Sequence, residues 1–251
     1  MTRTRFRLAV SWKSARWTAG LLVAGAVLAN LAFAMLGSVF DYPDVLRRPT
    51  EEILALYRED QAAVTLWFAV LALSAGLVAP LAVAVGRLVQ HPAMRIAVPV
   101  GIAAAAVQVI GLSRWFLLVP GYASDAAAGS EDALGRYAIA HQVLGVAIGE
   151  TLGYLLTAGW SLGVVVALHR RLAGDWFSAL GAASAAAILA GVLSPLDVPG
   201  VDAVNFAGYV GWSAWLLAFA AVLVRSRSRA AERRWSPERP PNVHKTGSSV
   251  S

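Results

Sequence analysis

An all-α membrane bundle of six transmembrane helices, with both termini on the cytoplasmic side, is the fold the sequence predicts. Six apolar stretches fill most of the chain: Trp17 to Val39, Ala62 to Val85, Ile96 to Val119, Ile139 to Leu168, Trp176 to Leu196 and Val204 to Val224. Each reaches the roughly 20 residues that a helix rising about 1.5 Å per residue needs to cross about 30 Å of hydrocarbon. Hydrocarbon offers backbone N–H and C=O groups no partner, so each stretch must satisfy its own as a helix. Charged residues are only 14% of the chain, too few to clothe six such helices for water. Apart from Arg47, Arg48, Arg58, Arg136 and the intramembrane Arg114, every Lys and Arg lies on the N-terminal segment, the second or fourth connection, or the tail, which makes those segments cytoplasmic.

Residues 1–16 form a basic cytoplasmic segment with Arg3, Arg5, Arg7, Lys13 and Arg16. The first span begins at Trp17. Its Ala32-Phe33-Ala34 resembles a signal-peptide cleavage site, but the run stays apolar to Val39 and is read as a retained first helix. The connection from Asp41 to Gln61 is the longest on the outer side. Pro43 and Pro49 break it, Thr50 offers an N-cap with Glu51 and Glu52 behind it, and Ile53, Leu56 and Tyr57 recur at helical spacing. A short outer juxtamembrane helix near residues 50–61, packed as a lid on the bundle, is therefore expected. Arg87 and Arg95 flank the second connection, and Arg170 and Arg171 the fourth. The transmembrane domain covers residues 17–224. The tail, 225–251, is rich in Arg, Ser and Pro and reads as disordered, with a weak PxxP-like element at Pro237 to Pro240.

Composition excludes several chemistries. There is no cysteine, hence no disulfide framework, thiol redox centre or Cys-ligated metal. Of the four histidines, His91, His169 and His244 lie outside the membrane interior, leaving His141 without a partner for bis-His haem ligation. The only lysines, Lys13 and Lys245, lie outside the spans, which excludes an intramembrane Schiff base. No HExxH, GxSxG or phosphate-binding loop occurs. No cofactor and no metal site are expected. The net charge of +6 is spread along membrane-proximal edges without a nucleic-acid-binding motif, so the expected partners are the bilayer and anionic lipid headgroups at the cytoplasmic face.

Inside the spans, charge is expensive: an ionised side chain at a helix centre costs about 2.5–3.5 kcal/mol on insertion scales. Arg114 sits near the outer end of the third span and Glu150 near mid-depth in the fourth. The depth difference of roughly 7 Å at helical rise is within the reach of an extended arginine, so the two are expected to pair, as an architectural clamp or as a binding site. The fourth span also carries Gly145, Gly149 and Gly153 at four-residue intervals, a face that permits close helix approach. On an α-helix His141, nine residues before Glu150, points the opposite way from it. Tyr154 accompanies Glu150, and Gln108, Asn30 and Asn205 are the remaining interior polar groups, expected to hydrogen-bond between helices. The Asp197 to Asp202 stretch reads as a turn around Pro199-Gly200. An offset of 100 residues matches Pro99 with Pro199, Gly111 with Gly211 and Trp115 with Trp215. Because the third and sixth spans run in opposite directions, a real duplication would be an inverted repeat, with Ala214 in place of Arg114, but apolar segments of limited alphabet match easily and chance similarity is the favoured reading.

Three stretches, Tyr42 to Thr50, Gly111 to Pro120 and Gly149 to Tyr154, resemble motifs of an uncharacterised bacterial multipass family, the domain of unknown function 4386. The resemblance implies a bacterial plasma-membrane protein of several helices and carries no activity, substrate or catalytic residue with it. From the residues, the leading expectation is a non-enzymatic integral plasma-membrane protein with a structural, sensory or regulatory role. The alternative is a small-solute or proton-coupled transporter using Glu150 and Arg114, for which a polar, water-accessible cavity at Glu150 is the discriminating observation. An enzyme is disfavoured, because no second carboxylate, ligand cluster or nucleophile-base pair lies within the spans.

Overall fold

A computed structural model describes residues 12–169 and 172–235, with side chains over 13–169 and 172–226. Six helical spans are each long and apolar enough to cross a membrane: Lys13–Phe40, Gln61–Gly86, Met94–Ala127, Glu131–Leu168, Asp175–Leu196 and Val201–Ser226. The protein is a multipass membrane protein. Every span turns large apolar side chains outward, among them Val27, Leu73, Ile102, Leu155, Leu189 and Val210. In water such a surface would drive association; in lipid it is the matching solvent.

The first span is α1 (Trp12–Phe40). A short 3-10 turn (Asp44–Arg47) and α2 (Thr50–Glu59) form the first connection. The second span is α3 (Gln61–Gly76) and α4 (Val78–Gly86), interrupted where Pro80 has no N–H for the carbonyl of Gly76. Pro120 does the same to Phe116 in the third span, dividing α5 (Met94–Leu117) from α6 (Val119–Ala127). The fourth consists of α7 (Glu131–Ala140), a π-helix over His141–Leu152, and α8 (Gly153–Leu168). The fifth is α9 (Asp175–Ala190) running into a 3-10 turn (Gly191–Leu196), and the sixth is α10 (Val201–Trp235).

The spans pack as a ring in which each touches its neighbours in sequence and the sixth closes on the first. Both described ends lie at one end of the ring, the termini face; α2 lies across the other. Two apolar cores divide the depth. Toward the termini face, aromatic side chains of the fourth, fifth and sixth spans (Trp160, Phe177, Trp215, Phe219) pack with Leu22, Leu81 and Val85. Toward the α2 face, Phe68 stacks on Trp115 with centroids 4.4 Å apart, and Phe40 meets both edge-on. This second core also holds Ile53, Leu54 and Tyr57 of α2 and contains no residue of the fifth or sixth span.

Two local features differ from the sequence reading. Thr50 is the first helical residue and Pro49 occupies the cap position, with no side-chain cap hydrogen bond; proline's fixed φ sets the helix entry instead. The sixth helix continues to Trp235, so residues 225–235 of the stretch expected to be disordered are helical. Extending an existing helix avoids the nucleation cost, and Ala230, Ala231 and Glu232 with their flanking arginines are good helix formers. The remainder of that tail, with Pro237 to Pro240, and residues 1–11 lie outside the described residues.

Candidate functional site

Between the two cores, the fourth span presents its polar residues to the middle of the ring. Its π-helix is the local feature that decides how. Hydrogen bonds from i to i+5 widen the winding, so the nine residues from His141 to Glu150 complete about two turns instead of two and a half. The opposed orientation expected of an α-helix is thereby cancelled. Glycine accommodates the wide turn: a Cβ on Gly145 would fall 2.7 Å from Nη2 of Arg114, and one on Gly149 would fall 3.1 Å from the Cα of Gly111.

Arg114 is 4% exposed and does not pair with Glu150; no carboxylate lies within ion-pair distance of it among the described residues. Nη1 donates to the carbonyl of Gly111 at 2.6 Å, one turn back on α5, and Nη2 lies 3.4 Å from Nδ1 of His141. The guanidinium carbon sits 5.2 Å from the Trp115 ring centroid. The expected ion pair fails because the arginine side chain folds toward the α2 face, where Gly145 leaves room and His141 offers a nitrogen, and so away from the deeper Glu150. His141 in turn stacks on Tyr137 at 5.9 Å. Arg114 Nε, Trp115 Nε1 and the Tyr137 hydroxyl are all sealed from solvent without a hydrogen-bond partner.

Glu150 is in a different situation. It is half-buried and makes no hydrogen bond or ion pair among the described residues. The same holds for the hydroxyls of Tyr42 and Tyr154. Tyr42 comes from the first connection, where it packs on Phe33 and Phe68. Burial holds its phenol above the ordinary range; the Glu150 carboxylate adds to that shift and the Arg114 guanidinium opposes it. The Glu150 side chain thus lies within electrostatic reach of the Tyr42 phenol. Tyr154 and Tyr209 lie within its electrostatic reach, their rings meeting at 61° with centroids 5.9 Å apart.

The remaining predicted polar residues separate into local roles. Gln108 donates to Thr157 Oγ1 at 2.7 Å, tying α5 to α8 beneath the glycine contacts. Asn205 is buried and donates to the Ile188 carbonyl at 2.8 Å, joining the fifth and sixth spans. Asn30 donates to the Ala26 carbonyl at 2.7 Å and to Ser213 Oγ at 2.9 Å, joining the first and sixth. Residues 197–200 form the turn, with Asp197 in the left-handed region (φ 51°), and Asp202, already in the first turn of α10, accepts from Arg47 at 2.6 Å on the α2 face. Sequence reading missed Tyr42 and Tyr209. Tyr209 lies one turn after Asn205, a signal that was available; Tyr42 opens the motif Tyr42 to Thr50, but only the fold relates it to Glu150.

A family model described as Domain of unknown function (DUF4386) matches residues 18–220, nearly the whole membrane domain. No curated protein and no solved structure gives a significant match.

Proposed function

We propose, for a chain that belongs to the family described as Domain of unknown function (DUF4386), the role of a solute-responsive sensor of the bacterial plasma membrane, with both termini cytoplasmic and a small ligand chamber at Glu150 open to the outer side. The carrying observation is the Glu150 carboxylate, half-buried on the π-helix of the fourth span and without a hydrogen-bond or ion-pair partner among the described residues. A carboxylate held that way costs folding energy that no intramolecular contact offsets, and intramembrane ionisable groups of this kind mark binding and ion pathways.

The route is supported by the asymmetry of the two cores. Toward the termini face the aromatic cluster fills the ring. Toward the α2 face the core belongs to the first four spans. The arginines of the termini face, Arg87 and Arg95 among them, support the assignment of that face to the cytoplasm and to anionic lipid headgroups. On this reading the site is reached from the outer side and closed toward the cytoplasm, the arrangement of a receptor.

The second reading, a proton-coupled transporter, is favoured by the mid-depth position of the same carboxylate. It requires the termini-face core to open, and proton uptake by proteoliposomes that Glu150→Gln abolishes would establish it over the sensor.

The natural absence of cysteine makes the chamber directly testable. Tyr154→Cys lies one turn beyond Glu150 at a half-buried position, whereas Leu155→Cys, 51% exposed, faces lipid. A thiol reacts only as thiolate, which requires water. Membrane-impermeant thiol reagent added outside intact cells should modify Tyr154→Cys and leave Leu155→Cys unmodified. Equal inertness of the two would overturn the chamber.

A further inference from the structure

Leu22 and Ala26 of the first span and Phe219 and Leu223 of the sixth turn into the termini-face core. On their lipid-facing sides the same two helices leave a groove of about 850 Å³. Val23, Val27 and Leu28 of α1 line it together with Leu217, Ala221 and Val224 of α10, and the small Gly20 and Ala24 give it depth. The lining runs from Ala19 to Leu28 along one helix and from Leu217 to Arg225 along the other. At helical rise that is about 12–14 Å, close to the roughly 15 Å of hydrocarbon in one leaflet. Beyond the groove, toward the α2 face, the two spans are joined: Asn30 donates to Ser213 Oγ at 2.9 Å, and the rings of Phe33 and Phe206 lie 5.7 Å apart. At the termini end the lining finishes on Arg225, which is exposed and whose guanidinium makes no hydrogen bond or ion pair among the described residues. Lys13 and Arg16 lie at the same end of α1, next to Trp17, which is 65% exposed and placed where headgroups meet hydrocarbon.

We propose that this groove seats one anionic glycerophospholipid of the termini-face leaflet, with an acyl chain between α1 and α10 and the phosphate on Arg225. The proposal goes beyond the Glu150 reading and does not depend on it. The groove is one leaflet deep, apolar along that depth, and basic only where a headgroup lies; clustered basic residues at such helix ends recognise anionic headgroups. A second copy of the chain fits less well. Copies share one orientation in the membrane, so a two-fold contact through the groove is isologous and sets Arg225 against its own symmetry mate, with Lys13 and Arg16 of both copies adding to the repulsion. A lipid phosphate supplies the opposite charge instead.

Native mass spectrometry of the full chain, released from detergent micelles after incubation with phosphatidylglycerol or phosphatidylcholine of identical acyl chains, reads the occupancy. One phosphatidylglycerol should be retained in preference to phosphatidylcholine. Arg225→Gln should weaken that retention about fivefold, the effect of one basic residue at an anionic surface, whereas Arg95→Gln, on the same face but outside the groove, should not. Gly20→Leu, at a position where an added Cβ meets nothing within 4 Å, should fill the groove and displace the lipid. Val166→Trp, 60% exposed to lipid on α8, should leave it bound. Equal retention of the two lipids would overturn the proposal, and so would equal losses in the two arginine variants, which would reduce the effect to diffuse attraction by the charged face. A dimer that Gly20→Leu dissociates would assign the groove to a second copy and overturn it as well.

Discussion

Gly111 and Gly149 meet backbone to backbone: a Cβ added to Gly111 would lie 2.5 Å from the Cα of Gly149 and 2.8 Å from the carbonyl oxygen of Leu144. This contact sets the distance between the third and fourth spans at the depth of the candidate site, and the atoms in the way are backbone, which cannot rotate aside. Gly111→Ala should therefore destabilise the protein by about 1–3 kcal/mol, the range for overpacking. Gly135→Ala, in α7 with nothing within 4 Å of its added Cβ, should be neutral or stabilising by up to about 1 kcal/mol. Unfolding in detergent micelles distinguishes the two, and equal effects would mean that the helices can separate at no cost.

Arg114 should prove sensitive to its geometry more than to its charge. Lysine cannot reproduce the fork that reaches the Gly111 carbonyl and His141 together, so Arg114→Lys should cost about 1.5–3 kcal/mol, the worth of charge-assisted hydrogen bonds. Arg114→Met, which removes the desolvated charge and keeps the volume, should cost less. With no ion pair between them, Arg114 and Glu150 should show a coupling below about 0.5 kcal/mol in a double-mutant cycle. A larger coupling would restore the clamp that the sequence suggested.

Two buried tyrosines should respond oppositely to loss of the hydroxyl. The Tyr57 hydroxyl lies 2.6 Å from Thr65 Oγ1 and 3.2 Å from the Trp115 carbonyl oxygen, tying α2 to the second and third spans. The Tyr137 hydroxyl is sealed and has no partner. Tyr57→Phe should lower stability by about 1 kcal/mol and Tyr137→Phe should raise it by a similar amount. Thermal midpoints measured side by side check the sign of each.

Tyr42 carries a pH signature. Its phenol is held above the ordinary 10.0 by burial and then by the Glu150 carboxylate. Below that value both folded and unfolded chains keep the phenol neutral, and stability is unaffected by it. Above it the unfolded chain ionises first, so stability is lost as pH rises toward the folded value. Ultraviolet titration should lose one of the late-ionising tyrosines in Tyr42→Phe and show that one ionising earlier in Glu150→Gln. An unchanged late titration in Glu150→Gln would place the carboxylate out of reach of the phenol.

Glu150 and Arg114 illustrate how far local reading extends. Both were legible as charges within apolar runs, because their cost in hydrocarbon depends on residue type and depth alone. Their relation was not. The estimate that they could pair assumed α-helical winding through His141 to Leu152, where the chain takes i to i+5 hydrogen bonds without a proline or other local marker. The glycine repeat was readable as a contact face, whereas its partners, Gly111, Gln108 and the Arg114 guanidinium, emerged only with the packing. Tyr42 lies more than a hundred residues from Glu150 in a connection that was read for its proline breaks, and no periodicity ties the two.

The sequence by itself determined that the chain is helical, crosses the membrane six times and carries two unusual interior charges, because each of these follows from hydropathy and backbone hydrogen bonding within one segment. Tertiary structure decided the order of the ring, the winding of the fourth span, the partners of Arg114 and the unpartnered state of Glu150. Those depend on which backbones can approach and which side chains then fill the space between them, and steric fit between distant segments has no counterpart in the properties of any one of them.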